Sequence, residues 1–167
     1  MVNVLYVDLG RCIGCKSCEV ACEMRPDNWG ISKIFVDVIK EKYPVPIQCR
    51  HCESAPCLEV CPTHAIEKTP EGVVIIKQLI CIGCRKCSIA CPFGVIQMDS
   101  THHIVTKCDL CIERLRDGRR PLCVTSCPAR ALTYGDYEKI MKEIRSKAAE
   151  SLVTGGVGGG SVITVKR

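Results

Sequence analysis

At 167 residues, with one tryptophan and two phenylalanines, the chain is one compact unit or two small ones, with too few aromatic rings for an ordinary hydrophobic core. Its longest clear apolar run, residues 73–76, is far too short for a membrane-spanning helix, and the N-terminal stretch carries neither the basic region nor the paired arginines of an export signal, so a soluble cytoplasmic protein is expected. The formal charge of +5 would suit a nucleic-acid binder, but sixteen cysteines acting as thiolate ligands would more than cancel it.

In chain order, residues 4–7 read as a strand entering a first cysteine group, Cys12, Cys15, Cys18 and Cys22, spaced C-x2-C-x2-C-x3-C. Residues 34–39 alternate apolar and polar positions like a half-buried strand. The proline-broken stretch 42–46 is extended and leads into a second group, Cys49, Cys52, Cys57 and Cys61. Residues 66–67 and 73–76 flank Thr69-Pro70-Glu71-Gly72, a good hairpin turn. The third group is Cys81, Cys84, Cys87 and Cys91, followed by an apolar stretch at 95–98. A strand at 104–106 enters the fourth group, Cys108, Cys111, Cys123 and Cys127. Residues 131–134 form a closing strand, Gly135-Asp136 a turn and N-cap, and 137–151 a helix. The glycine-rich end, 152–167, departs from this pattern. It has neither the strand before nor the helix after that a nucleotide-binding loop needs, and reads instead as a tail that orders on a partner, with a possible strand at 161–165.

The four groups use every cysteine, and each repeat reads strand, cysteine loop, short helix, strand. The third group has the full C-x2-C-x2-C-x3-C-P spacing by which bacterial-type ferredoxins hold [4Fe–4S] clusters. Three thiolates on one tight loop reach three irons, while the fourth points away; in two-cluster ferredoxins it ligates the other cluster. Gly14 and Gly83 permit positive φ and bring backbone N–H groups toward sulfur, and Ile13 and Ile82 are placed to exclude water. Pro62, Pro92 and Pro128 follow the last cysteine of groups two, three and four. Glu23 holds that place in the first group, so its exit should differ.

Disulfides suit a secreted framework rather than this chain, and zinc, the stronger rival, does not call for three ligands in seven residues plus a remote fourth, four times over. With sixteen thiolates and four oxidised cores of about +2 each, the loaded protein would carry about −3. Metal binding would then supply folding free energy that apolar burial cannot, leaving the apoprotein unstable.

Arg11, Lys16, Arg50, Arg85, Lys86 and Lys107 lie beside ligands and would raise local potentials by favouring an extra electron, unless they are merely solvated. The segment 112–122 carries Arg114, Arg116, Arg119 and Arg120; a helix and turn shielding the fourth group is the plainer reading, docking of an acidic partner the other. Trp29 suits an interface or the core. His51, His64 and the pair His102-His103 are not needed as ligands, because each cysteine set is complete. Asp8, Glu19 and Asp109 form no recognisable acid/base pair, and no nucleophile triad is signalled, so no bond-making catalysis is expected.

The order of spacings (x2-x2-x3, x2-x4-x3, x2-x2-x3, x2-x11-x3) resembles the four-cluster electron-transfer subunits of the dimethyl sulfoxide reductase type. Flanking words agree: Pro46-Ile47-Gln48-Cys49-Arg50-His51-Cys52, Ala55-Pro56-Cys57, Lys107-Cys108-Asp109-Leu110-Cys111 and Ala131-Leu132-Thr133-Tyr134-Gly135-Asp136. The likeness spans residues 3–137 and is greatest to compact members serving tungsten aldehyde oxidoreductases, formate dehydrogenases, carbon monoxide dehydrogenases and hydrogenases. It implies an α+β fold of two ferredoxin-like lobes, one inserted in the other: 1–45 with 100–137 as the first, 46–99 as the second, then a C-terminal helix and extended tail over 138–167. It also implies crossed ligand sets: Cys12, Cys15 and Cys18 with Cys127; Cys108, Cys111 and Cys123 with Cys22; Cys49, Cys52 and Cys57 with Cys91; Cys81, Cys84 and Cys87 with Cys61. The function implied is an electron wire of four [4Fe–4S] clusters between a larger catalytic tungsten or molybdenum subunit and an acceptor such as a soluble ferredoxin. A freestanding polyferredoxin, a subunit of a carbon monoxide dehydrogenase or hydrogenase, and, more distantly, a zinc-based interaction module are the alternatives.

Overall fold

The computed structural model describes residues 3–28, 30–99 and 103–153; the expectations for Trp29, His102 and the glycine-rich tail lie outside the described residues. The fourfold repeat is visible in the order of elements. The first unit runs β1 (Asn3–Val7), α1 (Ser17–Glu23), β2 (Ile34–Ile39), and the second β3 (Tyr43–Gln48), α2 (Pro56–Glu59), β4 (Ile66–Lys68). The third runs β5 (Val74–Ile76), α3 (Lys86–Ala90), β6 (Gln97–Asp99). The fourth runs β7 (Ile104–Thr106), two helices α4 (Ile112–Arg116) and α5 (Leu122–Thr125), then β8 (Leu132–Asp136). A longer helix, α6 (Tyr137–Val153), follows; no described helix is long and apolar enough to cross a membrane.

Strands pair between units rather than within them. β2 pairs with β3, β4 with β5 and β6 with β7, all antiparallel, so each pair joins the end of one repeat to the start of the next. The last strand closes on the first: β8 pairs with β1, with Leu5 opposite Tyr134 and Val7 opposite Leu132. The stretch expected to be merely extended at 42–46 is thus the second arm of a hairpin, made possible by left-handed Lys40 and Glu41 at its turn. Val73 belongs to the hairpin turn rather than the strand, since it exchanges hydrogen bonds with Thr69 through N–H to Oγ1 and through its carbonyl. Val95 and Ile96 are buried before the strand begins at Gln97. Asp136 caps α6 by accepting the Lys139 N–H at 3.1 Å.

Two hydrophobic clusters result. Leu5, Val7, Cys18, Ile34, Val36, Val124 and Leu132 form one, from strands and helices of the first and fourth repeats. Ala55, Ile66, Val74, Cys87, Ile96 and Val105 form the other, mainly from the second and third. No buried member of either is a phenylalanine or tryptophan, and cysteines themselves fill core positions in both. Such small cores must be completed by something other than apolar side chains.

Candidate metal centres

Each cysteine loop begins with a left-handed residue between its first two cysteines: Gly14 (φ +70°), His51 (φ +47°), Gly83 (φ +64°) and Leu110 (φ +56°). At His51 and Leu110 this conformation costs about 1–2 kcal/mol, which glycine avoids. The turn aims an N–H back at the preceding ligand: His51 N–H donates to Cys49 Sγ at 3.5 Å, and Leu110 N–H to Cys108 Sγ at 3.3 Å. A second left-handed turn follows the Cys-Pro pairs, at His64, Gly94 and Arg130. It lets Ala65 N–H donate to Cys61 Sγ at 3.2 Å and Ala131 N–H to Cys127 Sγ at 3.3 Å. The first group, lacking proline, leaves differently, as expected. Its helix runs on through Glu23, and Cys22 Sγ takes hydrogen bonds from Asn28 Nδ2 at 3.2 Å and Lys33 N–H at 3.3 Å.

Four cavities each gather four cysteines. Cys12, Cys15, Cys18 and Cys127 line one; Cys22, Cys108, Cys111 and Cys123 a second; Cys49, Cys52, Cys57 and Cys91 a third; Cys61, Cys81, Cys84 and Cys87 a fourth. All sixteen cysteines are thus drawn together in the crossed groups that the resemblance implies. The cavities are similar in size, with empty volumes of ≈ 320, 370, 350 and 310 Å³ in that order, as four copies of one occupant require. Among the described residues no three cysteine, histidine or carboxylate side chains converge closely enough to hold a single metal ion. Each ring of thiols is therefore wider than a zinc site and fits a polynuclear cluster.

Helices carry the crossing. Cys18 and Cys22 sit one turn apart on α1, so this helix serves the first and second cavities, and Cys123 and Cys127 do the same across α5. Cys57 and Cys61 span α2, and Cys87 and Cys91 span α3, joining the third and fourth. The remaining junction, second to third, is marked by electrostatics: burial first, then neighbouring thiolates including Cys49, push the Cys108 thiol well up. The cavities therefore stand in a row. Cys15 and Cys84, in its first and last members, are the exposed cysteines, and Ile13 and Ile82 line those two cavities while remaining 67% and 65% exposed.

Burial pushes Cys18 and Cys57 up to about 11, and drives Cys123 further. Without a bound cation such thiols stay protonated at neutral pH; iron supplies the charge that makes them thiolates.

Several supporting residues carry no mark in the sequence. Asn28, 1% exposed, also donates to the Cys22 carbonyl at 2.6 Å, and Arg25 Nη1 donates to Asp109 Oδ1 at 2.7 Å. Burial would raise the Asp109 carboxyl, but the Arg25 guanidinium overrides it and holds the group below the usual carboxylate range. The Glu19 carboxylate accepts the Val36 N–H, tying α1 to β2. Among cations beside ligands, Arg50 lies over the Phe93 ring at 5.4 Å, Lys107 is buried, and Arg11, Lys16, Arg85 and Lys86 are exposed. His51 is buried; its Nδ1 accepts the Val74 N–H at 3.0 Å, and burial together with Lys107 lowers its pKa to about 3, keeping it neutral. His64 and His103 are exposed turn residues. The segment after Cys111 forms two short helices, with Arg114 bound to the Arg120 carbonyl, Arg116 to Glu71 and Glu113, and Arg119 to Asp117.

Comparison with known proteins agrees with this geometry. A family described as a 4Fe-4S dicluster domain matches residues 41–137, and a 4Fe-4S binding domain matches residues 9–25. The sequence is 36% identical over 160 residues to the iron–sulfur subunit of the anaerobic dimethyl sulfoxide reductase of Escherichia coli (strain K12), covering 86% of this chain and 78% of the relative. It is 36% identical over 157 residues to the electron transfer subunit of the thiosulfate reductase of Salmonella typhi, covering 86% and 82%. It is 35% identical over 170 residues to a subunit of the sulfite dehydrogenase of Allochromatium vinosum, covering 84% and 71%.

Proposed function

This protein belongs to the family of iron–sulfur subunits that includes that of dimethyl sulfoxide reductase, and it holds four [4Fe–4S] clusters; on that premise we propose that it is the electron-conducting subunit of a larger oxidoreductase. One observation carries the reading: four equivalent cysteine-lined cavities in a row, with exposed cysteines at both ends. Each crossed group ligates one cluster. The fold is two nested ferredoxin-like lobes, the first and fourth repeats enclosing the second and third; the two separate hydrophobic clusters support this.

A [4Fe–4S] cluster bound in such a cavity supplies a centre that takes up and returns one electron. The chain's own residues do the rest. Cysteine pairs on α1, α2, α3 and α5 fix neighbouring cavities within a helical turn of each other, and apolar neighbours such as Val36, Ile66, Ile96 and Leu132 line the walls and restrict water. Backbone N–H groups of His51, Ala65, Leu110 and Ala131 donate to ligand sulfurs, which favours the more negative, reduced form.

The partner is a catalytic subunit of molybdenum or tungsten type, such as an aldehyde or formate oxidoreductase, with a small carrier such as ferredoxin at the far end of the row. Relatives named for reductase and dehydrogenase subunits support the catalytic partner. Anaerobic purification from the native cell tests the whole reading. A brown protein with about sixteen irons per chain, bleached by dithionite and co-eluting with a larger metalloenzyme, is the expected result. A monomer that reduces several unrelated enzymes would instead make it a freestanding polyferredoxin, and a colourless zinc protein would overturn it.

A further inference from the structure

Lys107, immediately before Cys108, is only 4% exposed although it carries a charge. Its Nζ donates to the Val74 carbonyl of β5, to the Cys108 carbonyl at 3.0 Å and to Cys49 Sγ at 3.7 Å. An ammonium has three N–H donors and no acceptor, so these partners engage all three and fix the cation in place. Cys49 and Cys108 line different cavities, the third and the second, so Lys107 sits where the two halves of the row meet.

Its charge is not shared equally between them. Toward the second cavity it offers a hydrogen bond to a carbonyl; toward the third it contacts a ligand sulfur directly. The same charge pulls down the Cys57 thiol, another member of the third group, against the dominant effect of burial. Nearby ionisable groups do not neutralise it: His51 is held neutral, and the Asp109 carboxylate is engaged by Arg25 at 2.7 Å.

We propose that Lys107 is a positioning residue for electron transfer: a fixed cation at the midpoint of the row that makes the group of Cys49, Cys52, Cys57 and Cys91 easier to reduce and so sets the energy step between the two halves. The inference rests on each crossed group holding one cluster. No bond is made or broken at Lys107 and no proton leaves it; the ammonium stabilises the form carrying one more electron, delivered by the neighbouring centre.

The test is a redox titration of the intact complex followed by electron paramagnetic resonance, comparing the unsubstituted protein with Lys107→Gln, Lys107→Met and Lys107→Arg. The signal lost in Cys57→Ser identifies the third group. Its midpoint should move to a more negative potential in Lys107→Gln and Lys107→Met and stay close to its original value in Lys107→Arg, while the midpoint of the Cys12 group does not move. An unmoved midpoint in a fully loaded Lys107→Gln protein, an equal shift at all four centres, or an equal shift in Lys107→Arg would overturn the proposal. Loss of that group's iron in both neutral variants would assign Lys107 to assembly and overturn it as well. Iron far below about sixteen per chain in the unsubstituted complex would instead sink the four-cluster reading itself, and the proposal with it.

Discussion

Arg25 Nη1 lies 2.7 Å from Asp109 Oδ1, so the chain leaving the first cysteine helix is pinned to the fourth cysteine loop, 84 residues further on. The contact closes one wall beside Cys22, Cys108 and Cys111, which share a cavity also lined by Asp109. Arg25→Met removes the partner of a largely buried carboxylate and should cost about 2 kcal/mol. A clear fall in the melting temperature of the loaded protein is expected. An unchanged melt would mean that the pair is incidental.

Gly83 is required by space as well as by φ. A Cβ there would stand 2.4 Å from the His103 carbonyl oxygen, whereas at Gly14 the nearest atom is Pro44 Cβ at 3.2 Å. Gly83→Ala should therefore lose most of one cluster, about four of the sixteen irons, and Gly14→Ala much less. Iron and acid-labile sulfide per chain decide it; equal losses would contradict the steric argument.

Asn28 acts on one ligand only. Replacing it with alanine removes the 3.2 Å hydrogen bond to Cys22 Sγ and the 2.6 Å bond to the Cys22 carbonyl. Stability should fall by about 1–2 kcal/mol, and one midpoint potential should become more negative. Asn28→Asp would add a negative charge beside the same sulfur and move that midpoint further in the same direction. A positive shift in either variant would be inconsistent with this role.

The crossed groups predict which variants share a phenotype. Cys57→Ser and Cys91→Ser should lose the same resonance signal, and Cys61→Ser and Cys84→Ser a different one, because each pair lines one cavity. In the assembled complex, Cys57→Ser should interrupt flow along the row while leaving the catalytic subunit's dye-linked activity intact. If Cys91→Ser instead removed the signal lost in Cys84→Ser, the groups would follow the order of the sequence.

Stripping the iron should unfold much of the chain. The two buried clusters are small and contain Cys18 and Cys87 among their members, so metal loss exposes core positions. Circular dichroism during anaerobic chelation should show helix signal falling together with the visible absorbance. Retention of full helicity after the colour is gone would sink this expectation.

The repeat, the ligand identities and most strand positions were legible in the sequence because cysteine spacing and apolar alternation are local signals. The unusual exit of the first group was legible too, from Glu23 in the place of proline. What stayed hidden depends on contacts between distant segments. Neither glycine nor any other usual mark announces the left-handed turns at His51 and Leu110, whose strain is offset by an N–H aimed at sulfur. Asn28 looked like part of an ordinary loop until the backbone brought it under Cys22. Lys107 was one of six cations beside ligands, and only burial at a junction sets it apart from exposed Arg11, Lys16, Arg85 and Lys86.

The pairing of β1 with β8 has a consequence for synthesis. Every cysteine lining the two middle-repeat cavities has been made by Cys91, whereas the cavity containing Cys12 must wait for Cys127, and β1 finds its neighbour only when residues up to Asp136 exist. A chain emerging from the ribosome can thus complete its interior pair first, while its earliest thiols stay open to oxygen and stray metals. Cluster delivery to the outer pair is therefore expected to be post-translational, and the step most sensitive to aeration.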